Sequence, residues 1–299
     1  MANPVKVAMI GLDTSHCVEF ARRMQDPECP YTQVVDGLET VTCLRFKTPF
    51  VTDEVLNERQ AVLQKLGVRV TTSFEEAVAD CEAIMIEIND PTLHLEYVEK
   101  CITLGRPIFL DKPLADTIEN GRGIIRLVKE HHCKVFSASS LRFAPALRKA
   151  HATIPQPVVC HVFGAYGMAP AGSSIVWYGV HAFEMLQATL GSGATSVEVR
   201  KDRLGLSAHV DYADGRRGTV ELTAGASSYG GYIMNKLQSC PFVVDGQTLY
   251  TYLLREVEKY FRGTPAPLSL YYDTLAIMAL LETAEKSFSS GKAEPVPTL

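Results

Sequence analysis

The chain has 299 residues, a net charge of −5, and 46% hydrophobic against 21% charged residues. That length fits two domains of about 100–200 residues each, and the composition excludes a disordered or fibrous chain. An acidic balance without clustered Lys and Arg argues against a nucleic-acid partner, because displacing phosphate counterions needs such clusters.

The first half alternates apolar runs with helical patterns, which predicts βαβ units and a parallel sheet. Val5 to Ile10 reads as a strand. Gly11 to Ser15 reads as a tight turn, and a helix follows from His16, its apolar positions Val18, Ala21 and Met24 falling before Pro27. Thr40–Phe46, Val68–Thr71, Ala83–Ile88, Pro107–Leu110 and Lys134–Ser137 are the further predicted strands. Asp53–Leu66, Phe74–Asp80, Leu93–Leu104 and Thr117–His131 are the predicted helices between them. Together they predict an open, doubly wound sheet of Rossmann type over residues 1–140.

After about residue 140 the pattern changes. Val158–Phe163, Ser196–Arg200, Leu206–Tyr212, Gly218–Ala224 and Tyr232–Leu237 read as mostly antiparallel strands, with Asp214-Gly215 as a hairpin signal because both residues tolerate positive φ. Helices are predicted at His181–Leu190, Thr248–Phe261 and Tyr271–Ser289. The expected architecture is therefore α/β plus α+β, with a second domain over 141–299 whose last helix packs back on the first.

No basic leader and no run of about 18 apolar residues is present, so the expectation is a cytoplasmic protein with no membrane partner. The eight cysteines stand singly, without a C-x-x-C pair, and His131-His132 reads as a favourable pair at a helix end, so no metal is expected. Cys17, beside a helix start, is the first candidate for a reactive thiol.

The turn Gly11-Leu-Asp-Thr-Ser-His16 has one of the three glycines of a dinucleotide fingerprint. Asp13 and His16 hold the places of the other two and bring side chains toward the ligand position. Thr14 and Ser15 suit helix capping or anion donation. A plain strand–helix turn without ligand is the alternative reading. The acidic residue expected at the end of the second strand is replaced by Arg45, with Lys47 beyond it. Two cations there suit the 2′-phosphate of NADP over NAD, or form a solvated edge. Glu87 is out of place in an apolar run, as a ribose ligand or the partner of a cation.

Phe109-Leu-Asp-Lys-Pro-Leu-Ala115 is an apolar strand ending in an acid–Lys–Pro triplet, which resembles the E-K-P motif of the Gfo/Idh/MocA oxidoreductases, the family of glucose-fructose oxidoreductase and inositol dehydrogenase. Ala83 to His94 resembles that family's strand and P-x-x-x-H turn. Ser139 to Phe143 resembles its domain-crossing arginine segment, and Gly179-Val-His181 through Gly191 its active-site helix. The resemblance implies a Rossmann domain, a C-terminal open sheet that forms homodimers or homotetramers, bound NAD or NADP, and a sugar or polyol substrate. It places Lys112 at the nicotinamide ribose and the substrate hydroxyl and makes Lys112–Pro113 a candidate cis bond. It lines the nucleotide site with Gly11, Asn89, Asp90 and Pro113, and makes His181 the general base. A lysine beyond the carboxyl end of a parallel strand also suits a developing alkoxide, and an imidazole suits proton transfer near neutral pH. Lys112 and His181, from different domains, are expected to meet across a shared cleft.

Glu184, three residues past His181, would orient its ring. Arg142 would bind a substrate oxygen or form an interdomain salt bridge, and His94 would support its turn near the nucleotide. The family pattern sets an aspartate four residues before the histidine, where this chain has Trp177, followed by Tyr178. Trp177 offers a flat face for a sugar ring, and Tyr178 a replacement acid. With two glycines and the aspartate missing, the alternative is a non-redox protein that binds a ligand or nucleotide on the same fold.

Overall fold

A computed structural model describes residues 3–299. The chain forms two units. One takes the chain up to Ala115, Asn120–Ser137 and Tyr250–Pro267; the other takes Asp116–Glu119, Ala138–Leu249 and Leu268–Leu299.

The first unit holds a six-stranded parallel sheet of β1 (Val5–Ile10), β2 (Leu38–Leu44), β3 (Arg69–Thr71), β4 (Ala83–Ile86), β5 (Ile108–Leu110) and β6 (Val135–Ser137). Their order in space is β3-β2-β1-β4-β5-β6, the doubly wound order with its reversal between β1 and β4. The connections run through α1 (His16–Gln25), α2 (Asp53–Lys65), α3 (Phe74–Val78), α4 (His94–Ile102) and α5 (Ile118–Glu130). β1 and β4 are continuous apolar runs because helices cover both faces of a parallel sheet, and Val7–Ile10 and Ala83–Ile86 are wholly buried. Thr52 and Ser73 cap α2 and α3, accepting from Val55 N and Glu76 N. Ser15 stands at the N-cap of α1 with no such bond, so the capping expected of it is not seen.

The second unit holds α6 (Pro145–Thr153), β7 (Val159–Tyr166), α7 (Val180–Leu190), β8 (Ala194–Lys201), β9 (Gly205–Tyr212), β10 (Arg217–Ala224), β11 (Gly230–Met234) and β12 (Ser239–Val243). Its sheet order is β12-β11-β7-β10-β9-β8-β13, the last strand being the short β13 (Glu294–Pro295). The pairing is antiparallel except between β7 and β10, which run parallel. Strand alternation puts Val197, Val199, Ala208, Val210, Val220 and Leu222 inside, against α7 and α9 (Leu275–Ser290). Residues Ile175–Gly179 and Leu270–Thr274 form π-helical turns that lead into α7 and α9.

Three differences from the predicted elements stand out. α6, β12 and β13 were not predicted; β11 begins two residues before the predicted strand; and α8 (Leu249–Phe261), placed by sequence in the second domain, belongs almost wholly to the first unit. There Thr251 Oγ1 donates to Gln33 O at 3.0 Å and Tyr260 meets Phe136 edge-on. α9 packs on β8 and α7 within the second unit.

Candidate functional site

In the first unit the chemistry gathers at the carboxyl ends of β1, β4 and β5. Gly11 has φ +111, and a Cβ there would come within 2.5 Å of the Glu87 carbonyl oxygen, so only glycine lets the β1 turn lie against the end of β4. Asp13 and His16 both turn inward. Asp13 is 1% exposed and accepts from Asn89 N and Thr48 Oγ1, each at 2.8 Å. Burial pushes its carboxyl above the usual range, and these bonds pull it back. The expectation that Asp13 brings its side chain toward the ligand position is therefore corrected: its oxygens lie on internal donors.

His16 Nδ1 is 2.7 Å from Asp111 Oδ2, and its ring stacks on Phe20 and meets Tyr250 edge-on. The Thr14 hydroxyl accepts from His16 N, and Ser15 is exposed. Cys17, the candidate thiol, donates to Thr14 O, and burial pushes it up to about 12, which removes it as a nucleophile.

Lys112 is 6% exposed with Nζ 3.8 Å from Asp111 Oδ2, and the Lys112–Pro113 bond is cis. Burial raises the Asp111 carboxyl, but the charges of His16 and Lys112 outweigh it, and Asp111 titrates well below the usual range. Glu87 goes the other way. It is fully buried just past β4, burial and the Asp111 charge both push it well above the usual range, and neither of its carboxylate oxygens has a hydrogen-bond partner.

Two residues expected beside the nucleotide have other work. His94 is 0% exposed, with Nε2 2.8 Å from Ile88 O and Nδ1 3.3 Å from Leu114 O, and so joins the turn after β4 to the segment after the triplet. Asp90 caps the turn Pro91–Leu93 by accepting from Thr92 N and Oγ1. Arg45 reaches Gln60 Oε1 at 2.5 Å and Asn57 Oδ1 at 2.8 Å, while Lys47 pairs with Asp53 on the surface.

In the second unit His181 opens α7, its Nδ1 2.8 Å from Ser139 Oγ. Tyr178 and Tyr229 meet its ring edge-on at 5.4 and 5.8 Å, and Trp177 lies against Tyr178 at 5.1 Å. Gly164 and Gly167 make room for these rings: a Cβ on either would come within 3 Å of Tyr229 or Tyr178. The place expected of Glu184, against the His181 ring nitrogen, is held by Ser139. Glu184 is 1% exposed and 3.5 Å from Arg142 Nη1, and burial raises it to about 7 against the pull of Arg142. Arg142 also donates to Gln187 Oε1 at 2.7 Å and lies 3.5 Å from Asp273, so its ion pairs fall within the second unit.

Ser139, Tyr229, Asp111 and Thr48 escaped the sequence reading as site residues. The acid of the triplet was the one visible signal, for Asp111.

Residues 5–139 match the family model GFO_IDH_MocA, described as an oxidoreductase family with an NAD-binding Rossmann fold. A D-xylose 1-dehydrogenase [NADP(+)] from Haloarcula marismortui is 25% identical over 152 residues, which is 50% of this chain and 38% of that protein. The curated relatives are matched over only 29% and 38% of their own length. Among solved structures, GenD2 from gentamicin A biosynthesis, in complex with NAD, aligns with a TM-score of 0.80 at 15% identity, covering 100% of this chain and 98% of that one. A myo-inositol 2-dehydrogenase from Lactobacillus plantarum aligns with a TM-score of 0.79 at 15% identity, covering 99% and 100%. These structural likenesses establish the fold. No helix among the described residues is long and apolar enough to cross a membrane.

Proposed function

Because residues 5–139 match the Gfo/Idh/MocA oxidoreductase family, we propose that the chain is an NAD(P)-dependent dehydrogenase that moves a hydride between the nicotinamide and a secondary alcohol of a sugar or polyol. The observation that carries this reading is the inward turn of Asp13 and His16. The two side chains that replace fingerprint glycines lie on Asn89, Thr48 and Asp111, and leave the outer face of the turn to backbone and Ser15. The turn therefore fits a pyrophosphate at the start of α1 as a glycine would let it. The D-xylose and myo-inositol dehydrogenases among the similar proteins support the substrate class.

When bound, the nicotinamide supplies the hydride acceptor. Gly11, Ser15 and the first N–H groups of α1 would hold the phosphates, and Lys112 the nicotinamide ribose. Neutral amides hold the Arg45 guanidinium, which keeps its charge for a 2′-phosphate and favours NADP modestly. Lys112 donates to the substrate hydroxyl oxygen and lowers the cost of the alkoxide as the carbon gives up its hydride. His181 takes the hydroxyl proton at Nε2, its Nδ1 being occupied by Ser139. Trp177 and Tyr178 offer ring faces to the substrate where the family has an acid.

Titration of NADH and NADPH by fluorescence tests the reading. Binding below about 1 mM is expected, with NADPH the tighter. No binding of either at that level overturns it and favours a non-redox ligand-binding protein, for which Trp177 in place of the aspartate is the favouring observation. A sugar and polyol panel then gives the turnover that Lys112→Ala and His181→Ala should each cut by about 10²–10⁴. If the two residues serve one step, the double variant loses little more than either single one.

A further inference from the structure

Glu87 is completely buried and both of its carboxylate oxygens lack a hydrogen-bond partner, in a protein interior where polar groups are paired with few exceptions. It is also aimed at something. Its Oε2 stands 3.9 Å from His16 Nδ1, and the same nitrogen is 2.7 Å from Asp111 Oδ2. One ligating atom from each of the three residues lies within 4.8 Å of the other two. An ion with bonds of about 2.0–2.2 Å sets neighbouring ligand atoms roughly 2.9–3.5 Å apart, a spacing that the observed 2.7 and 3.9 Å bracket. One imidazole and two carboxylates are the donors of a first-row divalent metal, and the residues are all but closed to solvent.

We propose that His16 Nδ1, Glu87 and Asp111 hold a divalent first-row transition cation that fastens the first residue of α1 to the ends of β4 and β5. The third glycine of a dinucleotide fingerprint serves close packing of helix on strand. Here a bulkier residue stands at that position, and the ion joins across the gap what glycine would have let touch. Lys112, 3.8 Å from Asp111 Oδ2, opposes the cation, so one carboxylate alone would not hold it. With both carboxylates ionised, the ion and Lys112 leave one net positive charge on this cluster, which offsets the Asp13 carboxylate beside it and removes the excess negative charge from behind the turn. The expectation of a metal-free chain rested on cysteine spacing and on the histidine pair at 131–132. His16, Glu87 and Asp111 are too far apart in sequence to form any such pattern.

The test uses the full-length protein after chelation and dialysis, without dinucleotide, so that it stands apart from the dehydrogenase reading. Equilibrium dialysis with Zn²⁺ should give one ion per chain. Co²⁺ in its place should give the intense visible absorption of a low-coordinate nitrogen–oxygen site. Glu87→Gln, which keeps the shape and one oxygen, should weaken Zn²⁺ binding at least 10–100-fold, and His16→Gln should do the same. Loss of Zn²⁺ on dialysis, or equal Zn²⁺ affinity in wild type and Glu87→Gln, overturns the proposal. Should the variants not fold, wild-type Co²⁺ decides: the pale spectrum of the hydrated ion overturns the proposal, and a low-coordinate spectrum that Zn²⁺ abolishes in one-to-one proportion supports it.

Discussion

Two glutamates, one in each unit, are buried almost completely, and they show what a neighbouring charge does to a carboxylate out of water. Glu184 has Arg142 at 3.5 Å, and burial raises it only to about 7. Glu87 has Asp111 pushing in the same direction as burial, and it rises well beyond the usual range with both oxygens unpartnered. The desolvation is alike; the sign of the dominant neighbouring charge differs, Arg142 at Glu184 and Asp111 at Glu87. A guanidinium makes the buried acid of the second unit a link in a network. The first unit has a carboxylate cluster crossed by His16 and Lys112, where Glu87 still lacks a hydrogen-bond partner.

The largest effect should come from taking the cation away from Glu184, which leaves it as Glu87 is. Arg142→Ala leaves Glu184 and Asp273 without their cation and should cost about 3–5 kcal/mol, seen as a lower midpoint in urea unfolding. If the loss is under 1 kcal/mol, the network contributes nothing and the contrast between the two glutamates fails. Next is Gly11→Ala, which joins a φ of +111 to a Cβ 2.5 Å from the Glu87 carbonyl. It should destabilise by roughly 3 kcal/mol and weaken NADH binding in the same titration.

A pH series gives a smaller effect with a fixed sign. Glu184 has its carboxyl raised in the folded chain from 4.5 to about 7, so between these values the native state holds a proton that the unfolded chain has lost. Its contribution to stability is therefore present below about pH 4.5 and is lost as pH rises toward about 7. Glu184→Gln should flatten that slope in melts taken across this window, and an unchanged slope would assign it to other groups. Smallest is Ser139→Ala. It removes the partner of His181 Nδ1 and the cap on Leu141 N, at a cost of about 1 kcal/mol, and should lower kcat more than it raises KM. An unaltered kcat would mean that the ring needs no such support.

Much of the fold was legible because periodicity is local. The apolar run of β1, the helix after His16 and the strand pair around Asp214-Gly215 are each contained within about twenty residues or fewer. What escaped was set by partners distant in sequence. β13 is two residues long and exists through its pairing with β8, and α6 begins at Pro145, just past a segment read for its arginine alone. The site divides in the same way. Lys112, His16 and His181 were visible from motif and position. Ser139 at His181 and Asp111 at His16, 42 and 95 residues away along the chain, were not. Glu184 shows the hazard of spacing used alone: three residues along a helix makes a neighbour of His181, yet the nearby guanidinium claimed the carboxylate.

The placement of α8 has a bearing on biosynthesis. Its Thr251 reaches Gln33 O, and just beyond its end Arg262 reaches Gly37 O, so contacts that complete the first sheet's surroundings span more than 200 residues. A nascent chain that has emerged only as far as β6 has every strand of that sheet but not the helix that covers part of it. The N-terminal unit should therefore ripen late on the ribosome, its exposed apolar side waiting for a segment translated only after β12.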